Sequence, residues 1–350
     1  MKKGKISDGY YHFEDDLNEY PDAWCYTVWS RRGPGKTYSS LWYSYINKIP
    51  IVYIKRTIDD VDLICSGNAE MGIDLSPYAP INRDKHTNIQ ARKILNGIGG
   101  FWEFEDGNPV GLPVANIIAL NAIKKIKGFD LSRCDWMILD EFIPQQGEIV
   151  KRKEGEMLLD VYMTINRDRQ KRSRPPLKLI LFANAEEIST PITNSLEIVD
   201  NIAEMNAAGI SKYYDEERGI FFHHITEEEI PMKEEELHGI FQAMKNTSWG
   251  RKAFGGEFSN NDFSNVMKQN IKKCKAMIHI IYKTYDYYIY LNQNTGMYYM
   301  CEIPHKTIFE YNLNKENGQK LFYYEHVIDL RMACMEDKMK FSKYSMYLVT

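Results

Sequence analysis

An α/β fold on a mainly parallel sheet, followed by a smaller α+β domain, is predicted by three stretches of this 350-residue chain. The first runs from Cys25 to Tyr38 and reads as an apolar strand, a glycine-containing turn and a helix start. The second is Trp136-Met-Ile-Leu-Asp-Glu-Phe142, four apolar residues that deliver two carboxylates to a strand's C-terminal end. The third is the apolar run Leu177–Phe182, which ends in Ala183-Asn184-Ala185. Short continuous apolar runs between helical patterns are the signature of parallel strands buried on both faces.

The first stretch carries the chemistry. Ser30, Arg31, Arg32, Gly33, Pro34, Gly35, Lys36, Thr37 and Tyr38 form a candidate phosphate cradle. Backbone N–H groups of such a loop, and the helix that follows, point at an anion where the helix dipole favours negative charge. Lys36 would reach the β- and γ-phosphates of ATP, and the Thr37 hydroxyl would coordinate Mg²⁺. Against the usual pattern G-x-x-x-x-G-K-[ST], Ser30 replaces the first glycine, a residue expected to accept the turn less easily. The strand before the loop and the helix after it separate it from a chance Gly-Lys-Thr in a surface turn.

About a hundred residues further on, Asp140 is positioned to hold the hydrated metal and Glu141 to orient and deprotonate the attacking water. Asn184, a polar group at a strand tip, would sense the γ-phosphate or that water. These are the parts of a P-loop nucleotide-binding core with ATP and Mg²⁺ as its cofactors.

Composition narrows the classes. Hydrophobic residues make up 44% and charged residues 26%, ordinary for a globular protein long enough for two cores. With 44 Lys and Arg against 48 Asp and Glu, the net charge of −4 does not mark a nucleic-acid binder, so DNA contacts must come from local basic patches. Six scattered cysteines form no C-x-x-C pair, which leaves zinc and redox motifs unsupported and suits buried thiols in a reducing compartment. No apolar segment follows the lysine-rich start, and no run of about 18 apolar residues occurs, so neither a secretory signal nor a membrane span is expected.

In chain order, residues 10–22 read as a polar lead-in, and Ile51–Ile54 as a β-branched strand ending on Lys55-Arg56. Those two cations sit where ligands bind in open α/β sheets, or end a solvated strand. Phe101–Asp106, Gly107–Gly111 and Val114–Leu120 suggest a hairpin. Lys124, Lys125 and Lys127 either face phosphate or form a solvated stretch. Residues 154–169 carry a helical pattern with Met157, Leu158, Val161, Tyr162 and Ile165 on one face, stopped by Pro175-Pro176. Glu197–Lys233 reads as a structured linker, which places the domains at 1–200 and 231–350 around a linker at 201–230. His223 and His224, adjacent on a strand, point to opposite faces and argue against a shared metal. A second hairpin is expected from Ile278–Leu291, a turn at Asn292–Gly296 and Met297–Ile303, with its tyrosines packing their rings and wetting their hydroxyls.

Together, Ser30–Thr37, Ile138–Phe142, Asn166–Arg169, Phe182–Ala185 and the tyrosine-rich segment 280–299 resemble the DNA-packaging ATPases of phi29-type tailed phages. That family belongs to the additional-strand P-loop class, beside FtsK/HerA-like translocases and large terminases. The resemblance implies a homo-oligomeric ring, commonly a pentamer, docked on the portal (connector) of a procapsid in the host cytoplasm. It implies ATP-driven translocation of double-stranded DNA, with a structural RNA as a further candidate partner, no membrane, and a C-terminal domain resembling a degenerate RNase H fold. By position, Lys36, Thr37, Asp140 and Glu141 keep their family roles. The family's usual arginine-finger position aligns with Ile165, so Arg167 or Arg169 is the candidate that would reach a neighbour's γ-phosphate. Both could instead complement the dipole at a helix C-terminus. Lys127 aligns with a lysine used across the subunit boundary, and Lys55 and Arg56 are weaker candidates for the same role. Lys124, Lys125, Lys151, Arg152 and Lys153 are the candidate pore residues for DNA phosphates.

Three other readings remain. A terminase that also cuts needs a central-strand carboxylate for paired metals, and His279, Ile281, Tyr282 and Lys283 offer none before Asp286. A nucleotide kinase would need an acceptor site, for which no motif stands out. A non-hydrolysing scaffold would be indifferent to loss of Glu141.

Overall fold

The computed structural model describes residues 8–350, apart from 68–71, 73, 123–129, 146, 147, 149, 168, 233–237, 248, 249, 251–253, 255–257, 259–262, 264, 348 and 350. The chain divides into two compact units, Met1–Ile198 with Ala208–Asn260, and Val199–Ala207 with Asn261–Thr350.

The first unit is built on a sheet that contains, among the described residues, nine strands. β1 (Cys25–Ser30) is buried along its whole length and passes through the glycine loop into helix α2 (Lys36–Ile46). Before it, α1 (Phe13–Glu19) sets Phe13 edge-on against Tyr26, Trp136 and Phe182, with ring centroids 5.4, 5.4 and 6.0 Å away. The segment expected as a polar lead-in is therefore partly core: Tyr11 and Phe13 are buried, and Leu17 and Tyr20 pack against the same cluster.

β2 (Ile51–Lys55) leads into α3 (Ile58–Cys65), whose start is fixed by a reciprocal capping box between Thr57 and Asp60. After α4 (Ala79–Lys85) come β3 (Ile89–Leu95), β4 (Ile98–Glu105) and β5 (Asn108–Ala119), an antiparallel run at one sheet edge. The expected hairpin forms between β4 and β5. Its two-residue turn, Asp106-Gly107, takes positive φ at both positions (48° and 78°), the twist that two-residue hairpins favour.

β6 (Trp136–Asp140), α5 (Glu154–Asn166), β7 (Lys178–Asn184) and α6 (Pro191–Ser195) follow. β8 (Lys212–Asp215) and β9 (Ile220–Ile225) complete the sheet, in the order β3-β4-β5-β2-β6-β7-β1-β9-β8. The six strands from β5 to β9 in that order run parallel to one another. Strand β7 lies between the strand that feeds the glycine loop and the strand that carries Asp140, the additional-strand arrangement.

Part of the expected linker thus belongs to the sheet: β9 pairs with β1 from Cys25↔Ile220 to Ser30↔Ile225. The acid-rich turn Asp215–Arg218 masks two strands, of which β9 buries Ile220, Phe221 and Phe222. The boundary falls differently as well, since α7 (Val199–Ala208) groups with the second unit.

The second unit holds a five-stranded sheet among its described residues. β10 (Lys275–Tyr282), β11 (Tyr285–Asn292) and β12 (Met297–Cys301) are antiparallel, and β13 (Phe309–Asn312) and β14 (Met339–Phe341) add parallel strands beside β10 and β12. Ile278, Ile280, Ile289 and Met300 pack with Phe322 of α8 (Glu316–Phe322) and Leu330 of α9 (Ile328–Met335). The stretch Ile278–Leu291, expected as one strand, is itself a hairpin. It reverses at Lys283, which takes φ of 55° without the glycine or asparagine that would have marked the turn. Lys283 is therefore a turn residue, not a central strand position, and Asp286 lies opposite Ile281. Tyr287, Tyr290 and Tyr299 are buried, and the Tyr290 hydroxyl donates to the Ile303 carbonyl at 2.8 Å, as packed rings with satisfied hydroxyls require.

Candidate nucleotide site

The cradle is assembled at the C-terminal ends of β1, β6 and β7. Ser30 is the last residue of β1, fully buried and paired with Asn184 across the strand tips. Positive φ falls on Gly33 (97°) and Gly35 (91°) instead. That corrects the concern over Ser30: its position is a strand end, and the left-handed turn that needs glycine lies further along the loop. The loop is braced from outside, since the Tyr11 N–H donates to the Pro34 carbonyl at 2.9 Å.

Lys36 opens α2 and turns its ammonium back across the loop. Its Nζ donates to Ser30 Oγ at 2.5 Å and to the Arg31 carbonyl at 3.3 Å, with Asn184 Oδ1 at 3.5 Å. Burial holds this ammonium down to about 8; Asp140 pulls it up and Arg31 pushes it down further. An electron-rich ligand is what such a cation lacks.

Thr37 and Asp140 meet directly, the Thr37 hydroxyl donating to Asp140 Oδ2 at 2.6 Å. The Tyr53 hydroxyl donates to the same oxygen at 3.2 Å, and the Glu141 N–H to Oδ1 at 3.0 Å. A hydroxyl and a carboxylate brought together beside a phosphate cradle form the hard oxygen pair that fits Mg²⁺, which takes few protein ligands and leaves room for substrate oxygens.

Glu141 stands next to this pair in the left-handed region, with φ of 59°. A residue with a β-carbon is held there at a cost of about 1–2 kcal/mol. The bonds that hold it are visible: Arg56 donates to the carbonyls of Glu141 (3.1 Å) and Phe142 (3.3 Å), and the Phe142 N–H to the Phe182 carbonyl (3.0 Å). Arg56 is itself fixed by Glu154 and Glu148, both at 2.6 Å. It braces its own site, which corrects its weaker candidacy as a residue reaching across a boundary.

The remaining candidates separate clearly. Arg31 is buried, with its guanidinium turned onto the carbonyls of Arg32 (2.9 Å) and Pro231 (3.4 Å). Burial, and then Asp84 of α4 beside it, raises the Tyr38 hydroxyl above its ordinary range. Arg169 is not a finger: it is 2% exposed and donates to the carbonyls of Pro175, Ser132 and Cys134 and to Asp135 at 2.5 Å. Its role is to pin the turn after α5 to the start of β6. Arg167, by contrast, is exposed just beyond α5, in a cleft of about 710 Å³ that Lys171 and Arg174 also line. Lys151, Arg152 and Lys153 are exposed ahead of α5, with Lys153 3.8 Å from Glu156. Lys124, Lys125 and Lys127 lie outside the described residues.

Sequence reasoning missed Tyr53, Gln145 and Glu154, and misjudged Arg56. Each reaches the site from a different element, and no spacing in the chain could announce it. His223 bridges Asp16 (2.6 Å) and Glu229 (3.0 Å), while His224 stacks on Trp29, so the two point apart as expected. Among the described residues no cluster of three or more His, Cys, Asp or Glu is arranged to hold a metal, and no helix is long and apolar enough to cross a membrane.

Fold and site together define an additional-strand P-loop protein with a smaller α+β unit. Among solved structures, the chain is similar to one from the bacteriophage phi29 viral genome packaging motor assembly, with a TM-score of 0.61 and 16% identity over 95% of this chain and 94% of that one. It is also similar to the phi28 gp11 DNA packaging motor, with a TM-score of 0.57 and 16% identity over 96% and 94% of the two chains. No family model and no curated protein matches the chain.

Proposed function

We propose that this chain is the ATPase subunit of a ring motor that drives double-stranded DNA into a phage procapsid. The observation that carries it is the convergence of Lys36, Thr37, Asp140, Glu141 and Asn184 on one rim of the sheet, with β7 inserted between the two motif strands. Similarity in fold to chains of packaging motors over nearly the whole length supports the assignment to packaging.

In this reading the N–H groups of residues 33–37 and the Lys36 ammonium hold the triphosphate. Thr37 and Asp140 would hold Mg²⁺, which when bound supplies positive charge to the β- and γ-phosphate oxygens. Glu141 takes the proton of the attacking water, and Asn184 orients that water toward the γ-phosphate. Arg167 of one copy supplies charge to the γ-phosphate held by the next, so a site is complete only between subunits. Loss of that contact on phosphate release moves neighbouring copies relative to each other. Lys151, Arg152 and Lys153, with Lys124 and Lys125, would then carry the DNA backbone by contacts that are electrostatic and blind to sequence. The ring, five copies in the family this chain resembles, would act at the portal vertex in the host cytoplasm, with or without a structural RNA. The second unit serves as a docking or nucleic-acid-gripping surface that has lost cleavage.

The test is ATP hydrolysis by the purified chain across protein concentration, with and without double-stranded DNA. Specific activity should rise with concentration and with DNA. Turnover that is first order in protein and indifferent to DNA would refute a ring motor.

A further inference from the structure

The segment ahead of β1 is strapped onto the phosphate loop and α2. The Tyr10 N–H donates to Asp8 Oδ1 at 3.0 Å, the Tyr11 N–H to the Pro34 carbonyl at 2.9 Å, and the Phe13 N–H to Ser39 Oγ at 2.7 Å. These bonds stand the Tyr10 ring beside the loop, with its Cδ1 3.6 Å from the point where a β-carbon on Gly35 would lie. The residue is nevertheless 48% exposed. We propose that Tyr10 is the platform on which the base of a bound nucleoside triphosphate stacks, a part of the ligand that the phosphate cradle does not reach.

The direction follows from the groups already placed. Lys36, Thr37, Asp140 and Asn184 converge on the β6–β7 side of the first turn of α2, and that is the end for the terminal phosphate. A triphosphate laid across that turn leaves away from those strands. Tyr38, the next residue on, turns that way: its hydroxyl bonds Asp84 of α4, with Tyr10 and Arg83 close by. Trp42, one turn further along α2, is covered by Lys85, whose ammonium is 5.2 Å from the ring centroid. Tyr38 and Trp42 are half-buried, so of these three rings Tyr10 is the exposed one. Its backbone is already tied on both sides, and a ring placed beforehand costs little further ordering on binding. Every base has a π-face, so such a platform selects for a base without choosing among bases.

This inference rests on the cradle being a nucleotide site, and the experiment separates the two without any need for hydrolysis. Calorimetry in the presence of Mg²⁺ measures binding of the non-hydrolysable imido analogues of ATP and GTP, and of inorganic tripolyphosphate. The full chain is compared with Tyr10→Trp, Tyr10→Leu and Tyr10→Ala; leucine still covers Gly35 but offers no π-face. Tyr10→Leu and Tyr10→Ala should weaken both nucleotides about five- to hundredfold and leave tripolyphosphate within about twofold of wild type. Tyr10→Trp should hold both nucleotides within about threefold of wild type. Nucleotide affinity that survives Tyr10→Leu, or tripolyphosphate weakening in step with the nucleotides, overturns the platform alone. A wild-type chain that binds none of the three ligands removes the nucleotide site and the platform with it.

Discussion

Lys36 offers a sharp quantitative test, because its burial has a measurable proton signature. Burial holds its ammonium down to about 8 from an ordinary 10.5 in the empty cradle. At 1.36 kcal/mol per pH unit, that gap means a charged Lys36 costs the empty protein about 3 kcal/mol at neutral pH. Between pH 8 and 10.5 the unfolded chain keeps a proton that the folded chain has lost, so this residue's contribution to stability rises with pH across that window. A bound triphosphate reverses the balance by restoring the charged form. Binding near pH 8 should therefore take up about half a proton, close to none at pH 6.5 and about nine-tenths of one at pH 9. The perturbation is Lys36→Arg, which stays protonated throughout. Calorimetry of ATP binding in the Glu141→Gln background, in two buffers of different ionisation enthalpy, measures the uptake directly. An uptake that is absent at pH 8, or survives unchanged in Lys36→Arg, would refute the view that a buried, partly neutral lysine is recharged by its ligand.

Three further outcomes are expected. Glu141→Gln should lower ATP turnover by about 10²–10⁴ while leaving ATP affinity intact, as general-base removal does; hydrolysis and filter binding on the same preparation decide it. The two arginines after α5 should part company. Arg169→Ala should destabilise the fold by about 3–5 kcal/mol in urea denaturation, because it strips a buried cation from Asp135 and three carbonyls. Arg167→Ala should leave stability within about 0.5 kcal/mol and lower turnover about 10³-fold or more. His223 should make stability pH-dependent. Burial alone would lower its ionisation, but Asp16 and Glu229 outweigh burial and raise it above 6.5. Its contribution is then full below 6.5 and lost as pH rises through the higher folded value, so His223→Gln should flatten the loss of stability above neutrality in urea titrations. Lys212 on Asp16 and the Tyr11 hydroxyl are unchanged by that substitution.

The sequence by itself determined the parts whose physics is local. A buried strand followed by glycines and Lys-Thr specifies a phosphate loop, because only that order of extended, left-handed and helical backbone aims N–H groups at one point. An apolar run ending in Asp140-Glu141 specifies a parallel strand that brings carboxylates to its tip, for the same kind of reason. The first hairpin is legible from the apolar runs on either side of Gly107–Gly111, although its turn is Asp106-Gly107 and residues 108–111 already belong to the second strand, whereas the reversal at Lys283 carries no such mark.

Tertiary structure alone decided what depends on residues distant in the chain. Which of Arg167 and Arg169 is buried follows from where the turn after α5 meets the residues leading into β6. The assignment of β8 and β9 to the sheet follows from pairing with β1, which the acidic composition of residues 215–218 concealed. The bracing of Glu141 by Arg56, Gln145 and, through it, Arg32 is a set of contacts between loops. Sequence periodicity reports which face of an element is buried, but not which neighbour buries it, and at this site the neighbours hold the reacting groups in place.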